Sequence, residues 1–267
     1  MKRILSIQDL SCLGKCSLTV ALPVLSAMGH SCTVLPTGLL STHTAFPKPY
    51  VRSLTEDIGN IAAHWQSVGA EFDSICVGYL SDPEQAEEVL RVLNMWDTPV
   101  ILDPVMGDHG KLYSRMTDAH IEAMKSLCKK ARYVLPNVTE AALLTGLAYR
   151  PQQEQSYLAE LTAALLELGP EAAVITGIAW DSVHTGFAGG TEETAFCYKT
   201  EALPRRPHGT GDLFSAVFTG ALGWEKPLYD SAALAARFVE QVVAQTPDQS
   251  PFGVAFEGKL SWLWEQK

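Results

Sequence analysis

The sequence has no long hydrophobic run and no excess of positive charge. No apolar run of about 18 residues occurs, and Met1-Lys2-Arg3 precedes only a short apolar stretch. Neither a membrane-spanning helix nor a secretory signal peptide is therefore predicted. The net charge of −10 argues against nucleic acid and anionic membranes as partners. We expect a cytoplasmic protein that binds neither.

Paired cysteine motifs are also missing. The six cysteines are scattered along the chain and form no Cys-x-x-Cys pair. Cys12 and Cys16 stand four residues apart, but no histidines follow at zinc-finger spacing. We expect most of the six to act as small core side chains in a reducing compartment.

The sequence does contain an alternation of short apolar strands and amphipathic helices. The patterns predict strands over residues 3–7, 32–35, 74–77, 100–102, 133–135 and 173–175, and helices over 18–28, 54–68, 83–93, 118–130, 138–144, 157–168 and 229–244. Two further segments, 182–188 and 194–199, flank Gly189-Gly190 and predict a hairpin. The alternation predicts an α/β fold in one domain, 1–267, with a mostly parallel sheet and helices on both faces.

A glycine-rich turn stands out near the C-terminal end of this pattern. Pro207-His208-Gly209-Thr210-Gly211-Asp212 precedes the apolar run that begins at Leu213. A turn that exposes amides at a helix start predicts a site for phosphate or developing negative charge. Asp212 beside such a site suits a base that takes the proton of a hydroxyl during phosphoryl transfer. A glycine-rich turn capped by Asp212 explains the same residues equally well.

Polar side chains follow the ends of three predicted strands. Asp103 to Asp108 follow the first, Asn137 to Glu140 the second, and Thr176 the third. Asp108 and Glu140 offer the hard oxygen ligands that Mg²⁺ takes beside phosphates. Taken singly, turn and capping roles are favoured, with Asn137 as an N-cap and Glu140 three residues into its helix. Their joint placement at one edge of a parallel sheet favours a functional site.

These segments, in this order, resemble the ribokinase-like small-molecule kinases. Leu5-Ser6-Ile7-Gln8, the segment from Leu40 to Thr44, and Val77-Gly78-Tyr79 narrow the resemblance to the pyridoxal kinase branch, over residues 4–245. The resemblance implies a three-layer fold with little or no lid and a homodimer. The implied activity is ATP-dependent phosphorylation of the 5′-hydroxymethyl group of pyridoxal, pyridoxamine or pyridoxine, in salvage of pyridoxal 5′-phosphate.

The resemblance also implies roles for individual residues. Asp212 would be the general base, beside an anion hole made by the amides of Gly209, Thr210 and Gly211. Mg²⁺ and the phosphates would be organised by Asp108 and Glu140, with Asn137 nearby. Asp103 and Thr176 would belong to the nucleotide region, where a monovalent cation can bind. The pyridine ring would contact Thr44 and Tyr79, with His43 beside them.

Two of the proposed ring-binding residues also have an ordinary structural explanation. His43 is equally explained as a loop histidine that is hydrogen-bonded within the protein and as a contact to the ligand. Tyr79 also suits an ordinary aromatic side chain at the end of a strand.

Two departures from the family pattern bear on the substrate. Asp9 stands where the family usually carries a serine that reaches a ring substituent, and Gly14-Lys15-Cys16-Ser17 replaces a glycine- and aromatic-containing segment. We place Asp9 and Cys16 in the substrate site, and a cap of the following turn is the alternative role for Asp9. A carboxylate there favours a cationic or donor-bearing substituent, and hence pyridoxamine over pyridoxal.

Three other functions stay open at this point. A hydroxymethylpyrimidine kinase would also present a ring amino donor, but that branch generally carries Cys where Asp212 stands. A sugar or nucleoside kinase usually has an added lid, for which the short stretch between Leu35 and Leu54 leaves little room. A non-catalytic binder of pyridoxal phosphate or nucleotide would not need Asp212 and both acidic pairs.

Overall fold

The structure is a computed structural model that describes residues 1–205, 207–248 and 250–267. The strands are β1 (Arg3–Leu13), β2 (Ser31–Thr42), β3 (Val51–Ser53), β4 (Ser74–Val77), β5 (Val100–Leu102), β6 (Gly107–Asp108), β7 (Lys111–Leu112), β8 (Tyr133–Val134), β9 (Ala172–Ala179), β10 (His184–Gly190) and β11 (Ala195–Glu201). The helices are α1 (Leu18–Ala27), α2 (Thr55–Ser67), α3 (Gln85–Leu93), α4 (Asp118–Cys128), α5 (Val138–Thr145), α6 (Gln155–Leu166), α7 (Thr210–Gly223), α8 (Leu228–Gln245) and α9 (Leu260–Trp264).

Nine strands form one sheet in the order β11-β10-β9-β8-β5-β4-β1-β2-β3. The five pairings from β9 to β2 are parallel, and the pairings at the two margins are antiparallel. The predicted mostly parallel α/β sheet is therefore confirmed. Because the central strands run in one direction, their carboxyl ends meet at one edge, where ligands bind in such folds.

Separate hydrophobic cores cover the two faces of the sheet. Residues of α2 to α6 pack on one face, and residues of α1, α7, α8 and α9 pack on the other. The central strand β5 is buried throughout, as expected for a strand with helices on both sides. No helix among the described residues is long and apolar enough to span a bilayer.

Two strands run further than their apolar cores predict. β1 and β2 stay paired as far as Leu13 and Thr42, with an irregularity between Gln8 and Leu10. Asp9 and Ser11 are buried polar residues in this extension, so the hydrophobic pattern stops before the strand does. The extension carries Asp9 beyond the end of neighbouring β4.

The predicted hairpin has its turn in a different place. Gly189 and Gly190 lie inside β10, and the chain turns after them, at residues 191–194. A side chain at Gly189 would place its Cβ 2.0 Å from the Ala173 carbonyl oxygen. These glycines therefore permit close strand packing, and reading them as the turn was wrong.

The cysteines are less buried than predicted. Only Cys76 and Cys128 are fully buried, while Cys12 and Cys197 are exposed. Cys197 lies on β11, an edge strand that is at least partly exposed throughout, and Cys12 lies in the last part of β1. All six thiols are free.

Candidate active site

The glycine-rich turn begins α7 as predicted. Gly209 has a φ of 89°, and the first hydrogen bond of the helix runs from the Leu213 amide to the Gly209 carbonyl at 3.0 Å, so the amides of Thr210 and Gly211 have no acceptor within the helix. A Cβ at Gly209 would lie 2.2 Å from the Lys15 carbonyl oxygen. A Cβ at Gly211 would meet no atom within 4 Å. The turn therefore packs tightly on one side and leaves open space beside the free amides on the other.

Asp212 occupies the first turn of α7 and is half-buried. Burial, followed by the negative charge of Asp9, raises the pKa of the Asp212 carboxyl to about 6. The nearby polar groups of Ser17 and the amide of Asp212 itself lower this pKa and so act in the opposite direction. A carboxylate with a pKa near 6 is still ionised at neutral pH and is a better proton acceptor than an ordinary aspartate.

Asp9 lies on the floor of this site with three of the predicted site residues around it. It is 3% exposed and accepts a hydrogen bond from Ser11 Oγ at 2.9 Å. Its charge raises the pKa values of Asp212, Cys16 and Tyr79. The structure therefore brings Cys16, Tyr79 and Asp212 within electrostatic reach of one buried carboxyl.

Tyr79 lies at the end of β4 and is 6% exposed. Its Oη has no hydrogen-bond partner among the described residues. Burial raises the pKa of Tyr79 to about 12, and the positive charge of Arg115 opposes this shift. A buried hydroxyl without a protein partner is unusual and marks a position where a ligand can donate or accept a hydrogen bond.

A second group of acids lies beyond the carboxyl ends of β5 and β8. Asp103 is buried, and its pKa is raised well above the ordinary value by burial and by the charges of Glu140 and Asp212. Burial also raises the pKa of Glu140 to about 8, and the charge of Asp108 adds to that shift. Tyr113 faces all four acids, each of which raises its pKa. Like charges held this close favour binding of a cation.

Asn137 and Glu140 form a capping box at the start of α5. The Glu140 amide donates to Asn137 Oδ1 at 3.0 Å, and the Asn137 amide donates to Glu140 Oε2 at 2.8 Å. Glu140 Oε1 also accepts from the Met106 amide at 3.0 Å. The capping roles predicted as the alternative are therefore confirmed. Each carboxylate oxygen keeps a lone pair for a further partner.

Asn137 also connects two of the predicted phosphate-site segments. Its Nδ2 donates to the Gly107 carbonyl at 2.8 Å, which holds the start of β6. Asn137 pairs with Thr176 across an isolated bridge, and the Thr176 amide donates to Pro136. Thr176 therefore lies beside Asn137, in the region where the sequence predicts the nucleotide.

Asp108 lies on the exposed side of this group. Its side chain is 53% exposed, and Oδ1 accepts the His109 amide at 2.7 Å. Within the described ranges, no three His, Cys, Asp or Glu side chains are gathered around a common point. Hard oxygen ligands beside an open helix start nevertheless fit Mg²⁺, which keeps several waters and takes few protein ligands.

His43 is held by the protein itself. Its Nε2–H donates to the Pro251 carbonyl at 2.9 Å, and its ring lies 4.8 Å from Phe46 and 4.9 Å from His208. This contact joins the loop after β2 to the turn before α7. The hydrogen-bonded loop histidine that the sequence left open is what the structure shows.

Thr44 lines a cavity of about 390 Å³ between the loop after β2 and the segment after β7. Lys48 and Arg115 are the cationic side chains of this cavity. The charge of Arg115 opposes the rise in the pKa of Tyr79, so this cavity lies within electrostatic reach of Tyr79. Thr44 therefore lines this cavity, whose lining does not include Tyr79.

Several site residues were missed by the sequence reasoning. Ser11, Ser17, Tyr113 and Arg115 face the acids or Tyr79 in the structure. Tyr113 and Arg115 follow the β6–β7 hairpin, whose strands have two residues each and show no periodicity. Polar residues in a buried part of β1 were the available signal for Ser11.

Comparisons with known proteins identify the family to which the chain belongs. The phosphomethylpyrimidine kinase family profile matches residues 30–253. A pyridoxine/pyridoxal/pyridoxamine kinase of Bordetella avium is 30% identical over 266 residues, which cover 91% of this chain and 85% of the relative. A hydroxymethylpyrimidine/phosphomethylpyrimidine kinase of Staphylococcus aureus is 26% identical over 236 residues, which cover 82% and 81%.

The fold comparison adds a solved structure. The crystal structure of pyridoxal kinase from Lactobacillus plantarum superposes with a TM-score of 0.91 at 33% identity, covering 100% of this chain and 98% of the other. The family match spans most of the sequence, and the structural match extends over both margins of the sheet. The chain therefore belongs to the phosphomethylpyrimidine kinase family and, within the ribokinase-like phosphotransferases, to the pyridoxal kinase branch.

Proposed function

We propose that the protein transfers the γ-phosphoryl group of ATP to the 5′-hydroxymethyl group of vitamin B6, with pyridoxamine preferred over pyridoxal. The observation that carries this is Asp212, half-buried with a raised pKa beside the free amides of α7. Buried Asp9 and Tyr79 on the same floor support a small aromatic acceptor. The kinases of Bordetella avium and Lactobacillus plantarum support the substrate class.

The chemical step follows from this placement. Asp212 accepts the proton of the acceptor hydroxyl. The oxygen of that hydroxyl forms a bond to the γ-phosphorus as the bond between the γ-phosphorus and the leaving oxygen of ADP breaks. The amides of Thr210 and Gly211, at the positive end of α7, stabilise the charge on the transferring phosphoryl oxygens. In this proposal Gly209 contributes the turn that exposes them.

Asp108 and Glu140 would hold Mg²⁺, with Asn137 fixing the Glu140 carboxylate. Bound Mg²⁺ would offset the negative charge of the phosphates. Asp103 and Thr176 would line the nucleotide region, where a monovalent cation would reduce the repulsion among the buried acids. By the same resemblance we propose a homodimer, which light scattering tests.

The test is a coupled ADP-release assay with pyridoxal, pyridoxamine, pyridoxine, hydroxymethylpyrimidine and ribose. We expect turnover with the three B6 vitamers, highest kcat/KM for pyridoxamine, and none with ribose. The Staphylococcus aureus relative makes hydroxymethylpyrimidine kinase the second candidate. Turnover of hydroxymethylpyrimidine alone would select that candidate, and binding without ADP release on any acceptor would indicate a non-catalytic binder.

Replacing Asp108 by alanine should weaken the use of Mg·ATP several-fold. The side chain is exposed and contacts only the amide and the ring of neighbouring His109 among the described residues, so the fold should survive its removal. Raised Mg²⁺ should restore much of the activity, because the loss lies in metal binding. Titrating Mg²⁺ against kcat/KM for ATP measures this, with exposed Asp97→Ala as the control. A defect of equal size at every Mg²⁺ concentration would remove Asp108 from the metal site.

Replacing Tyr79 by alanine should raise KM for the vitamer several-fold and leave KM for ATP nearly unchanged. Ring packing of this kind contributes about 1 kcal/mol, and it acts on the acceptor only. Tyr79→Phe keeps the ring and is the matched variant. The KM of Tyr79→Phe for the vitamer should stay closer to that of wild type. The remaining difference measures the contribution of the unpartnered hydroxyl. A defect confined to ATP would place Tyr79 outside the acceptor site.

A further inference from the structure

The cavity of about 390 Å³ that Thr44 lines has two cationic side chains and no carboxylate among its described lining residues. It lies between residues 44–49, which follow β2, and Ser114 and Arg115, which follow β7. Lys48 is its second cation. Pockets of this size hold small organic ligands. In a chain with a net charge of −10, a cavity with this lining is a local exception that favours an anion.

The two cations are available to a ligand. Both are exposed, and neither Lys48 nor Arg115 forms an ion pair with a described residue. A guanidinium and an ammonium together suit phosphate oxygens, and the hydroxyls of Thr44 and Ser114 can donate to others. A phosphate monoester carries up to two negative charges at neutral pH and therefore matches this set of donors.

Lys48 has a backbone conformation that lysine rarely adopts. Its φ is 52°, which is in the left-handed region where glycine is the usual residue. Pro49 follows it, and a residue before proline prefers an extended backbone. Strain of this kind persists where the surrounding structure holds it, and it concentrates at functional sites. A lysine in place of a glycine keeps a cation at this cavity.

Contacts on both sides of the cavity fix its shape. The ring of Phe46, which is part of the lining, lies 4.8 Å from His43 and stacks on Phe252 at 5.6 Å. On the other side, the Met116 amide donates to the Tyr113 carbonyl at 2.9 Å, and Met116 is buried. The second cation therefore lies in a turn that is closed by a hydrogen bond. A site formed before the ligand arrives loses less entropy on binding.

The cavity lies near the acceptor site, but it is separate from the position proposed for phosphoryl transfer. Its lining includes neither Tyr79 nor any residue of the turn at 209–212. Arg115 lies within electrostatic reach of Tyr79. A ligand in the cavity would therefore leave the free amides of α7 unoccupied.

We propose that this cavity binds the phosphate group of a phosphorylated ring compound, apart from the site of phosphoryl transfer. Lys48 and Arg115 pair with the phosphate oxygens, and the remaining volume holds the ring beside Phe46. The proposed reaction makes such a compound, so its own product is the ligand that this chemistry favours. That choice of product rests on the proposed function, whereas binding of a phosphate monoester does not.

Calorimetric titration with pyridoxamine 5′-phosphate tests the proposal. ADP, Mg²⁺ and pyridoxamine are kept in excess so that the transfer site is occupied. We expect Lys48→Ala and Arg115→Ala each to weaken binding about tenfold, as the loss of a charged hydrogen bond does. Lys48→Arg keeps the charge and should bind within about threefold of wild type. Arg52→Ala is the control, because Arg52 is an exposed cation on neighbouring β3 outside the lining.

A second variant keeps the test decisive if Lys48→Ala does not fold. Lys48→Gly also removes the cation, and glycine adopts a positive φ without strain. If Lys48→Gly and Arg115→Ala bind pyridoxamine 5′-phosphate as tightly as Arg52→Ala, or if wild type does not bind it, the proposal is overturned. Equal affinity for inorganic phosphate would overturn the choice of a ring compound.

Amide NMR separates this inference from the proposed function, since binding needs no turnover. The ligand should shift the amides of Ala45 and Ser114 more than that of Gly211. The opposite pattern would place it at the start of α7 and overturn the proposal. A protein that releases no ADP with any acceptor, but loses binding in Lys48→Gly, fails the proposed function and supports the site.

Discussion

Asp212→Asn should reduce turnover by about 10²–10⁴-fold, the usual contribution of a general base. The amide has nearly the same shape as the carboxylate but cannot accept the hydroxyl proton. ATP should bind with similar or higher affinity, because the substitution removes a negative charge beside the free amides of α7. The loss should therefore appear in kcat, with KM for ATP unchanged or lower.

Single-turnover kinetics and ATP titration measure the two effects separately. Asp118→Asn is the control, because Asp118 also lies in the first turn of a helix but is exposed. In wild type, activity should fall as the pH drops through about 6, where the Asp212 carboxyl becomes protonated. If the Asp212→Asn variant keeps more than a tenth of wild-type kcat, Asp212 is excluded as the base.

The strand ends were predictable because their physical signals are local. The apolar runs at β4, β5 and β8 are bounded by polar turn residues, so the sequence places Asp103 and Asn137 at one edge of the sheet. The capping box of Asn137 and Glu140 was equally readable, and the structure confirms it. Capping a helix does not exclude a functional role for the same side chain. Glu140 caps α5 and is also buried among other acids.

Other parts of the site lay outside what local patterns convey. The extension of β1 carries Asp9 and Ser11 as buried polar residues, which interrupt the alternation that predicts strands. Ser17 precedes α1, where serine commonly caps a helix, but it has a φ of 49° and its side chain makes no cap hydrogen bond. Two residues earlier, Lys15 packs against Gly209 and donates its amide to the Phe252 carbonyl, and these long-range contacts have no local sequence signal. Tertiary contacts override local preference here, as they often do at functional sites.

Asp9→Ser should shift the substrate preference from pyridoxamine toward pyridoxal by an order of magnitude. Asp9 is buried beside Tyr79 and Asp212, and burial raises its pKa. Ser11 donates to Oδ2, which leaves Oδ1 to accept a charge-assisted hydrogen bond from the aminomethyl group of pyridoxamine. Pyridoxal offers no such donor, so the buried carboxyl stays poorly paired when it binds.

The ratio of kcat/KM for the two vitamers isolates this effect from any general loss of activity. A charged hydrogen bond contributes about 1.5–3 kcal/mol, which water entering the site reduces to a change on the order of tenfold. Asp9→Asn is the matched variant: it keeps the size of the side chain, removes the charge, and should shift the ratio in the same direction. Ser11→Ala removes the neighbouring donor and should leave pyridoxamine preferred. If Asp9→Ser and Asp9→Asn both fold and keep the wild-type ratio, Asp9 lies outside the specificity pocket and only caps the following turn.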